Sequence, residues 1–401
     1  MKKKMVVVGV SGSISAYKSA QLVSDLVKRD VDVHTVMTKN ATQFISPLTF
    51  EALTKNKCLV GVFDEDPLFP VPHVNIPQSA DALIVAPASA DLIAKAANGI
   101  ADDMLTSMLV AATCPVIIAP AMNKHMYLNK TVQQNIEKLK NDGCIIVEPA
   151  VGRLACDCVG VGKLADTDTL IDSVMLAAEH NKDLRGLKIV VSAGPTVEAI
   201  DPVRYITNRS SGKMGYAIAR AAVRSGADTV LVSGPTALKT PFGVRKTSVT
   251  SAQEMCEAVT SEFNDCDILI MAAAVADYTP KTVCNEKIKK QDKDNIIELK
   301  RTDDILRLCC ERKQPGQVVC GFSMETENLL ENSRKKLISK KCDAVAANSL
   351  RDEGAGFGTD TNKITVITEN SEIALDIMSK DDAAYKLLQI LKDIYIKKNK
   401  S

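Results

Sequence analysis

The chain has 401 residues, 46% hydrophobic and 25% charged, with 50 Lys plus Arg against 49 Asp plus Glu. That length exceeds one ordinary domain and predicts two or three. A net charge of +1 gives no reason to expect a nucleic-acid or membrane partner, so an anionic ligand must be held by local geometry.

Lys2-Lys3-Lys4 and the apolar run that follows have the outline of a signal peptide. The run is short, however, and passes into Ser11-Gly12-Ser13 without a cleavage region. The most apolar region, 108–122, is interrupted by Pro115 and Pro120, so no membrane span is expected and the chain reads as cytoplasmic. Twelve cysteines are scattered without a C-x-x-C pair and with only four histidines. Reduced, mostly buried thiols are the expectation.

In chain order, residues 4–8 predict a strand that ends in the glycine loop Gly9-Val10-Ser11-Gly12-Ser13, followed by an amphipathic helix over 16–28. Strands are predicted at 31–37 and 82–85. A strand at 188–191 then runs into Ser192-Ala193-Gly194-Pro195-Thr196, repeating the opening, and further strands follow at 229–232, 268–271 and 344–347. Strands alternating with helical patterns predict parallel sheets covered on both faces, here two doubly wound Rossmann-like α/β domains. The charged, apolar-poor stretch 180–186 places the boundary near 185, giving 1–185 and 186–401. A lysine-rich segment, 281–301, reads as a solvated loop or as a flap over a polyanionic ligand.

The first glycine loop sets backbone N–H groups and a helix N-terminus around one point, which suits a terminal phosphate monoester. It does not spell G-x-G-x-x-G, and neither half carries that fingerprint, which disfavours a two-domain nicotinamide oxidoreductase. In the second half, Ser210-Ser211-Gly212-Lys213 is only part of a P-loop, so a Walker-type ATPase is not indicated.

Residues 1–180 resemble the flavin-containing cysteine decarboxylases. The motifs that carry it are GVSGSISAY at 9–17, Met37-Thr38, His73 with Ala80-Asp81, APASADLIAK at 86–95, GIADD at 99–103 and PAMNKHMY at 120–127. The resemblance implies FMN held by Gly9, Ser11, Gly12, Ser13, Thr38 and Ser89. It implies His73 as catalytic base, since imidazole titrates near neutral pH, and Asn123 as the amide that orients the substrate carboxylate. His125 is read as structural. Cys156, in Gly152-Arg153-Leu154-Ala155-Cys156, matches the proton donor of a substrate lid. The chain departs from the family pattern at Asp157 and Cys158, which makes Cys158 a second thiol beside it. The implied chemistry oxidises a cysteinyl thiol to a thioaldehyde at the expense of FMN, loses CO2, protonates the enethiol and returns the electrons. A regulatory, non-enzymatic use of this flavin fold exists among relatives, and the second half argues against it.

Residues 186 to about 395 resemble the phosphopantothenoylcysteine synthetase (ligase) family. The carriers are SAGPTV at 192–197, DPVRYITNRSSGKMG at 201–215, AAAVADY at 272–278, EKIKKQ at 286–291, Gly321-Phe322 and Ala347-Asn348. The resemblance implies CTP-dependent activation of 4′-phosphopantothenate as an acyl-cytidylate, attack by L-cysteine, and Mg²⁺ near the α-phosphate. Lys287 matches the essential lysine and Asn208 the asparagine of the second half-reaction. Ala272, Ala273, Asp277, Asp304, Phe322, Lys336 and Lys340 match nucleotide contacts, with Asp277 also a candidate Mg²⁺ ligand. The chain departs from the pattern at Asp303, where a proline is common. The ligase product, 4′-phosphopantothenoylcysteine, is the decarboxylase substrate. Family resemblance further implies trimeric flavin domains and dimeric ligase domains combined in a dodecamer.

Overall fold

A computed structural model of the chain describes residues 3–153, 159–289, 296–325, 328–349 and 358–400. They fall into two compact units, Met1–His180 and Asn181–Ser401. Among the described residues no helix is long and apolar enough to cross a membrane.

The first unit runs β1 (Met5–Val10), α1 (Ala16–Val27), β2 (Asp32–Met37), α2 (Pro47–Thr54), β3 (Cys58–Leu59), α3 (Pro72–Ser79) and β4 (Ala82–Ala88). It continues with α4 (Ala90–Ala97), α5 (Met104–Ala111), β5 (Val116–Pro120), α6 (Lys124–Tyr127), α7 (Lys130–Asn141) and β6 (Ile145–Ile146). A two-stranded ribbon, β7 (Ala150–Arg153) with β8 (Val159–Lys163), precedes α8 (Thr167–Ala177). The six-stranded sheet has the order β3-β2-β1-β4-β5-β6 and is parallel throughout. Its strands are near-continuous apolar runs because helices cover both faces. In β4, all seven residues are buried. Val7, Leu83, Val85 and Ile118 pack with Leu92, Ile93, Met104 and Leu105 of α4 and α5, each full burial contributing about 1.5–3 kcal/mol.

The second unit begins with β9 (Lys188–Ala193), β10 (Val197–Ala199), β11 (Tyr205–Thr207), α9 (Lys213–Arg224), β12 (Asp228–Ser233), β13 (Arg245–Ser248), α10 (Ala252–Phe263) and β14 (Ile268–Met271). Next come β15 (Tyr278–Pro280), β16 (Leu299–Arg301), α11 (Ile305–Arg312), β17 (Val318–Glu325), α12 (Leu329–Lys340) and β18 (Ala344–Ser349). It ends with β19 (Thr361–Asn362), β20 (Ile364–Thr368), β21 (Glu372–Ala374), β22 (Met378–Ser379) and α13 (Lys380–Asn399). The main sheet has the order β13-β12-β9-β14-β17-β18-β20-β21. Its first six strands are parallel and the last two antiparallel. Small residues on α9, among them Ala217, Ala221 and Ala222, are buried in one core with Leu387, Leu388 and Leu391 of α13.

Both sheets therefore share one doubly wound strand order. The chain direction across the sheet reverses between β1 and β4 in one unit and between β9 and β14 in the other. Ligands of such folds enter at the carboxyl ends of the strands flanking that switch point. The predicted helix over 16–28 is α1, with Lys28 as its C-cap. Within the lysine-rich segment 281–301, residues 299–301 form β16, which pairs with β15, and the Lys281 amide donates to the Glu298 carbonyl at 2.9 Å.

Candidate active sites

In the first unit the loop after β1 is fastened before it is shaped for a ligand. Ser11 is buried, and its Oγ donates to the Pro87 carbonyl and accepts from the Ser89 amide, both at 2.8 Å. Its amide also donates to Pro87 O. The hydroxyl expected near a phosphate is thus spent on tying the β1 and β4 loops together. Gly9 lies inside β1, where a Cβ would fall 2.5 Å from Leu105 Cδ1, so this glycine makes room for α5. At Gly12 a Cβ would fall 2.7 Å from Asn40 Cβ, because the loop passes hard against the turn after β2. Thr38 starts that turn, its amide donating to Val10 O and its Oγ1 accepting from the Ala41 amide.

What remains at the carboxyl edge is a cleft of about 420 Å³ lined by Gly12, Ser13, Ser89, Asn123, Arg153 and Lys163, among others. Among the described residues no acceptor is found for the amides of Gly12, Ser13 and Ile14. These amides open onto the N-terminal end of α1, a helix of 12 residues, where an anion is favoured. The donor set and the cleft volume fit a flavin mononucleotide. Ser89 caps α4 through its Oγ, and Asn123 caps α6, its Oδ1 accepting from the His125 amide at 2.8 Å. Asn123 is thereby fixed at the cleft wall. Tyr127, one turn on, donates to Glu148 at 2.6 Å, and burial together with that carboxylate pushes its phenol up to about 12.

His73 follows Pro72 in the first turn of α3 and is not among the residues lining this cleft. Among the described residues its buried Nδ1 has no hydrogen-bond partner. Among the described residues, Ser13, Ser89 and Asn123 come together at this cleft and His73 is not part of its lining. Cys156 and Cys158 lie outside the described residues.

In the second unit the loops after β9 and β14 are laced together. Ser192 Oγ accepts from the Ala273 amide at 3.1 Å, the Ala274 amide donates to Gly194 O at 2.9 Å, and Thr196 Oγ1 accepts from the Ala276 amide at 3.0 Å. Asn208 reaches the same loop, its Nδ2 donating to the carbonyls of Ala274 (3.1 Å) and Val275 (3.3 Å). Ala272, Ala273 and Asn208 thus meet at the sheet edge. Met271 and Gly321 are paired across β14 and β17, so Ala272 and Phe322 emerge at one level. Lys336 of α12 donates to Phe322 O at 2.7 Å, while Lys340 pairs with Asp304, the N-cap of α11. Asp277 is exposed, its carbonyl accepting from the Thr302 amide.

Lys287 is exposed, and its place is set by residues that sequence reasoning did not single out. The buried carboxylate of Asp201 accepts from the Ile288 amide at 3.1 Å, and Arg204, paired with Asp201, donates to the Ile288 carbonyl at 2.7 Å. The Arg204 guanidinium, helped by the amides of Val203, Arg204 and Ile288, holds Asp201 well below the usual carboxylate range. Both residues belong to the 201–215 motif, but nothing in the sequence says that they grip a backbone unit 87 and 84 positions away.

The family model described as Flavoprotein matches residues 1–179, and that described as DNA/pantothenate metabolism flavoprotein C-terminal domain matches residues 184–395. The chain is 46% identical over 393 residues to the coenzyme A biosynthesis bifunctional protein CoaBC of Bacillus subtilis (strain 168), with 97% of each chain covered. It is 40% identical over 393 residues to the protein of the same description from Vibrio parahaemolyticus, with 98% of each covered. The crystal structure of the C-terminal domain of a coenzyme A biosynthesis bifunctional protein CoaBC is 41% identical. It covers 54% of this chain and 99% of its own, with a TM-score of 0.47. The chain belongs to the family of coenzyme A biosynthesis bifunctional proteins, flavoprotein decarboxylase and ligase in one polypeptide.

Proposed function

We propose that residues 186–401 join 4′-phosphopantothenate to L-cysteine at the expense of CTP. Residues 1–185 then decarboxylate the resulting 4′-phosphopantothenoylcysteine to 4′-phosphopantetheine with FMN. The observation that carries this reading is the grip of Asp201 and Arg204 on Ile288. It fixes the backbone next to Lys287 to the motif that also supplies Asn208.

In the ligase, carboxylate attack on CTP builds negative charge on the α-phosphate. The ammonium of Lys287 is the group we assign to that charge. Mg²⁺ is commonly held by one or two carboxylates together with substrate phosphates, a role open to the exposed Asp277. Asn208, held by two loop carbonyls, presents its amide to the acyl-cytidylate when the cysteine amine attacks and CMP leaves. Asp304, Phe322, Lys336 and Lys340 complete the nucleotide seat.

In the decarboxylase, Gly12, Ser13 and Ile14 offer amides to the cofactor phosphate, with Thr38 and Ser89 beside them, Ser11 holding the loop and Gly9 leaving room for α5. When bound, FMN supplies a reversible two-electron oxidation of the cysteinyl thiol. Asn123 orients the substrate carboxylate with a neutral amide, which leaves the carboxylate less stabilised than an ion pair would and so eases loss of CO2. His73 serves as the base and Cys156, with Cys158 in reserve, as the proton donor to the product carbon. The position of His73 outside its own chain's cleft supports a trimer of flavin units in which it serves a neighbouring subunit, within a dodecamer.

The test is to record the absorption spectrum of the purified protein and to mass-analyse products from 4′-phosphopantothenate, L-cysteine, CTP and Mg²⁺. A yellow protein that yields CMP, pyrophosphate, CO2 and 4′-phosphopantetheine is expected. Formation of ADP or AMP from ATP with no turnover of CTP would overturn the nucleotide assignment.

A further inference from the structure

Two thiols that the proposed chemistry does not use face each other beneath the nucleotide seat. Cys310 lies in the last turns of α11 and Cys342 just beyond the C-cap of α12, with their Sγ atoms 3.6 Å apart. Both are free cysteines. Cys310 is 7% exposed, and Cys342 is half-buried and open to a small reagent. The surrounding backbone is pinned. Lys313, the C-cap of α11, donates to both oxygens of Asp343 at 3.0 Å, and Asp343 Oδ2 accepts from the Val319 amide at 2.8 Å. A disulfide needs Sγ atoms about 2.05 Å apart, so the two sulfurs must close by about 1.5 Å against this pinned backbone.

The same helices carry the groups assigned to CTP. Asp304 caps the start of α11 and pairs with Lys340 in the last turn of α12, two residues before Cys342. We propose that Cys310 and Cys342 form a reversible disulfide that weakens nucleotide binding by shifting α11 against α12. The effect on CTP rests on the assignment of Asp304, Lys336 and Lys340 above.

The step balances with a low-molecular-weight disulfide as oxidant. The Cys342 thiolate attacks one of its sulfurs, breaking that S–S bond and releasing one thiolate. Cys310 then attacks the mixed disulfide at Sγ of Cys342 and releases the second. Two S–H bonds are lost and one Sγ–Sγ bond is made, and the two electrons reside in the two released thiols. Cys342 is the entry point because it is the more accessible. Cys310 takes the resolving role because its Sγ lies 3.6 Å from that of Cys342; the hydrogen bond to Cys342, and then burial, push its thiol up, which makes this second attack the slower one.

The full-length protein is incubated with glutathione disulfide, digested and mapped by mass spectrometry, and the KM for CTP is measured before and after. The expected result is a Cys310–Cys342 cross-link with the loss of two hydrogens and a rise of about fivefold in KM for CTP. Dithiothreitol should reverse both. Cys342→Ser and Cys310→Ser should keep the reduced enzyme's activity and lose the cross-link, while Cys309→Ser should retain it. A pair that stays reduced while the exposed Cys284 is modified would overturn the modification site. A cross-link that leaves the KM for CTP unchanged would overturn the regulatory effect. Because the cross-link is read by mass, its failure is distinct from a failure of the nucleotide assignment.

Discussion

Asp201 is held by a guanidinium and three amides, and that company fixes both its charge and its place. A carboxylate whose folded pKa is depressed adds stability above its unfolded value of about 3.9, and that stability fades only as the pH falls further toward the folded value. The grip on Ile288 therefore stays charged throughout neutral pH, and no step in ligase activity between about pH 5 and 9 should come from it. Asp201→Asn should lower pyrophosphate release by roughly tenfold or more, because a charge-assisted bond is about twice as strong as its neutral counterpart. Decarboxylation of supplied 4′-phosphopantothenoylcysteine should be unchanged in the same variant. At this scale the sequence reveals residue type more readily than residue duty. Ser11 stands in the expected loop and Gly9 at the end of the strand before it, yet burial assigns one to a tie between loops and the other to room for Leu105. Those duties depend on contacts about 76 and 96 positions away, which no local pattern encodes.

The strands that flank both switch points are legible as elements because continuous apolar runs, ending in a glycine loop at β1 and β9, admit few alternatives. The antiparallel β20 and β21, and the β7–β8 ribbon, escape the same reading. β21 is exposed along its length, and β7 alternates half-buried with exposed residues, so neither shows the continuous apolar run of a covered strand. Helix α5 illustrates how an element supports a site that it does not line. Asp103 and Thr106 form a reciprocal cap, with the Thr106 amide 2.8 Å from Asp103 Oδ1 and the Asp103 amide 3.0 Å from Thr106 Oγ1. The cap steadies the turn that brings Leu105 against Gly9. Asp103→Ala should cost about 1 kcal/mol of helix stability. Amide hydrogen exchange in the first turn of α5 should then be roughly fivefold faster, with flavin content falling in parallel. Unchanged exchange in that turn would show that packing alone holds the helix.

For the whole molecule, two units with the same strand order carry consecutive reactions, and the proposed arrangement of subunits is open to test at His73. If His73 of one chain serves the cleft of another, His73→Asn and Asn123→Asp proteins, each inactive in decarboxylation, should regain activity when subunits are mixed during refolding or co-expression. In a trimer with random mixing, a fair share of clefts would then pair an intact His73 with an intact Asn123. Light scattering should meanwhile report an assembly of about twelve times the 43.2 kDa chain. Failure of the mixed protein to decarboxylate, in an assembly of that size, would place His73 with its own chain's cleft.

Ligation and decarboxylation are assigned to separate sites, one on each unit, and run in that order. This assignment is tested most directly by mass analysis of the products that the His73→Asn protein makes from 4′-phosphopantothenate, L-cysteine, CTP and Mg²⁺. With separate sites, 4′-phosphopantothenoylcysteine should accumulate in step with pyrophosphate while no 4′-phosphopantetheine forms. A folded, flavin-loaded His73→Asn protein that released no pyrophosphate, or that still produced 4′-phosphopantetheine, would contradict it.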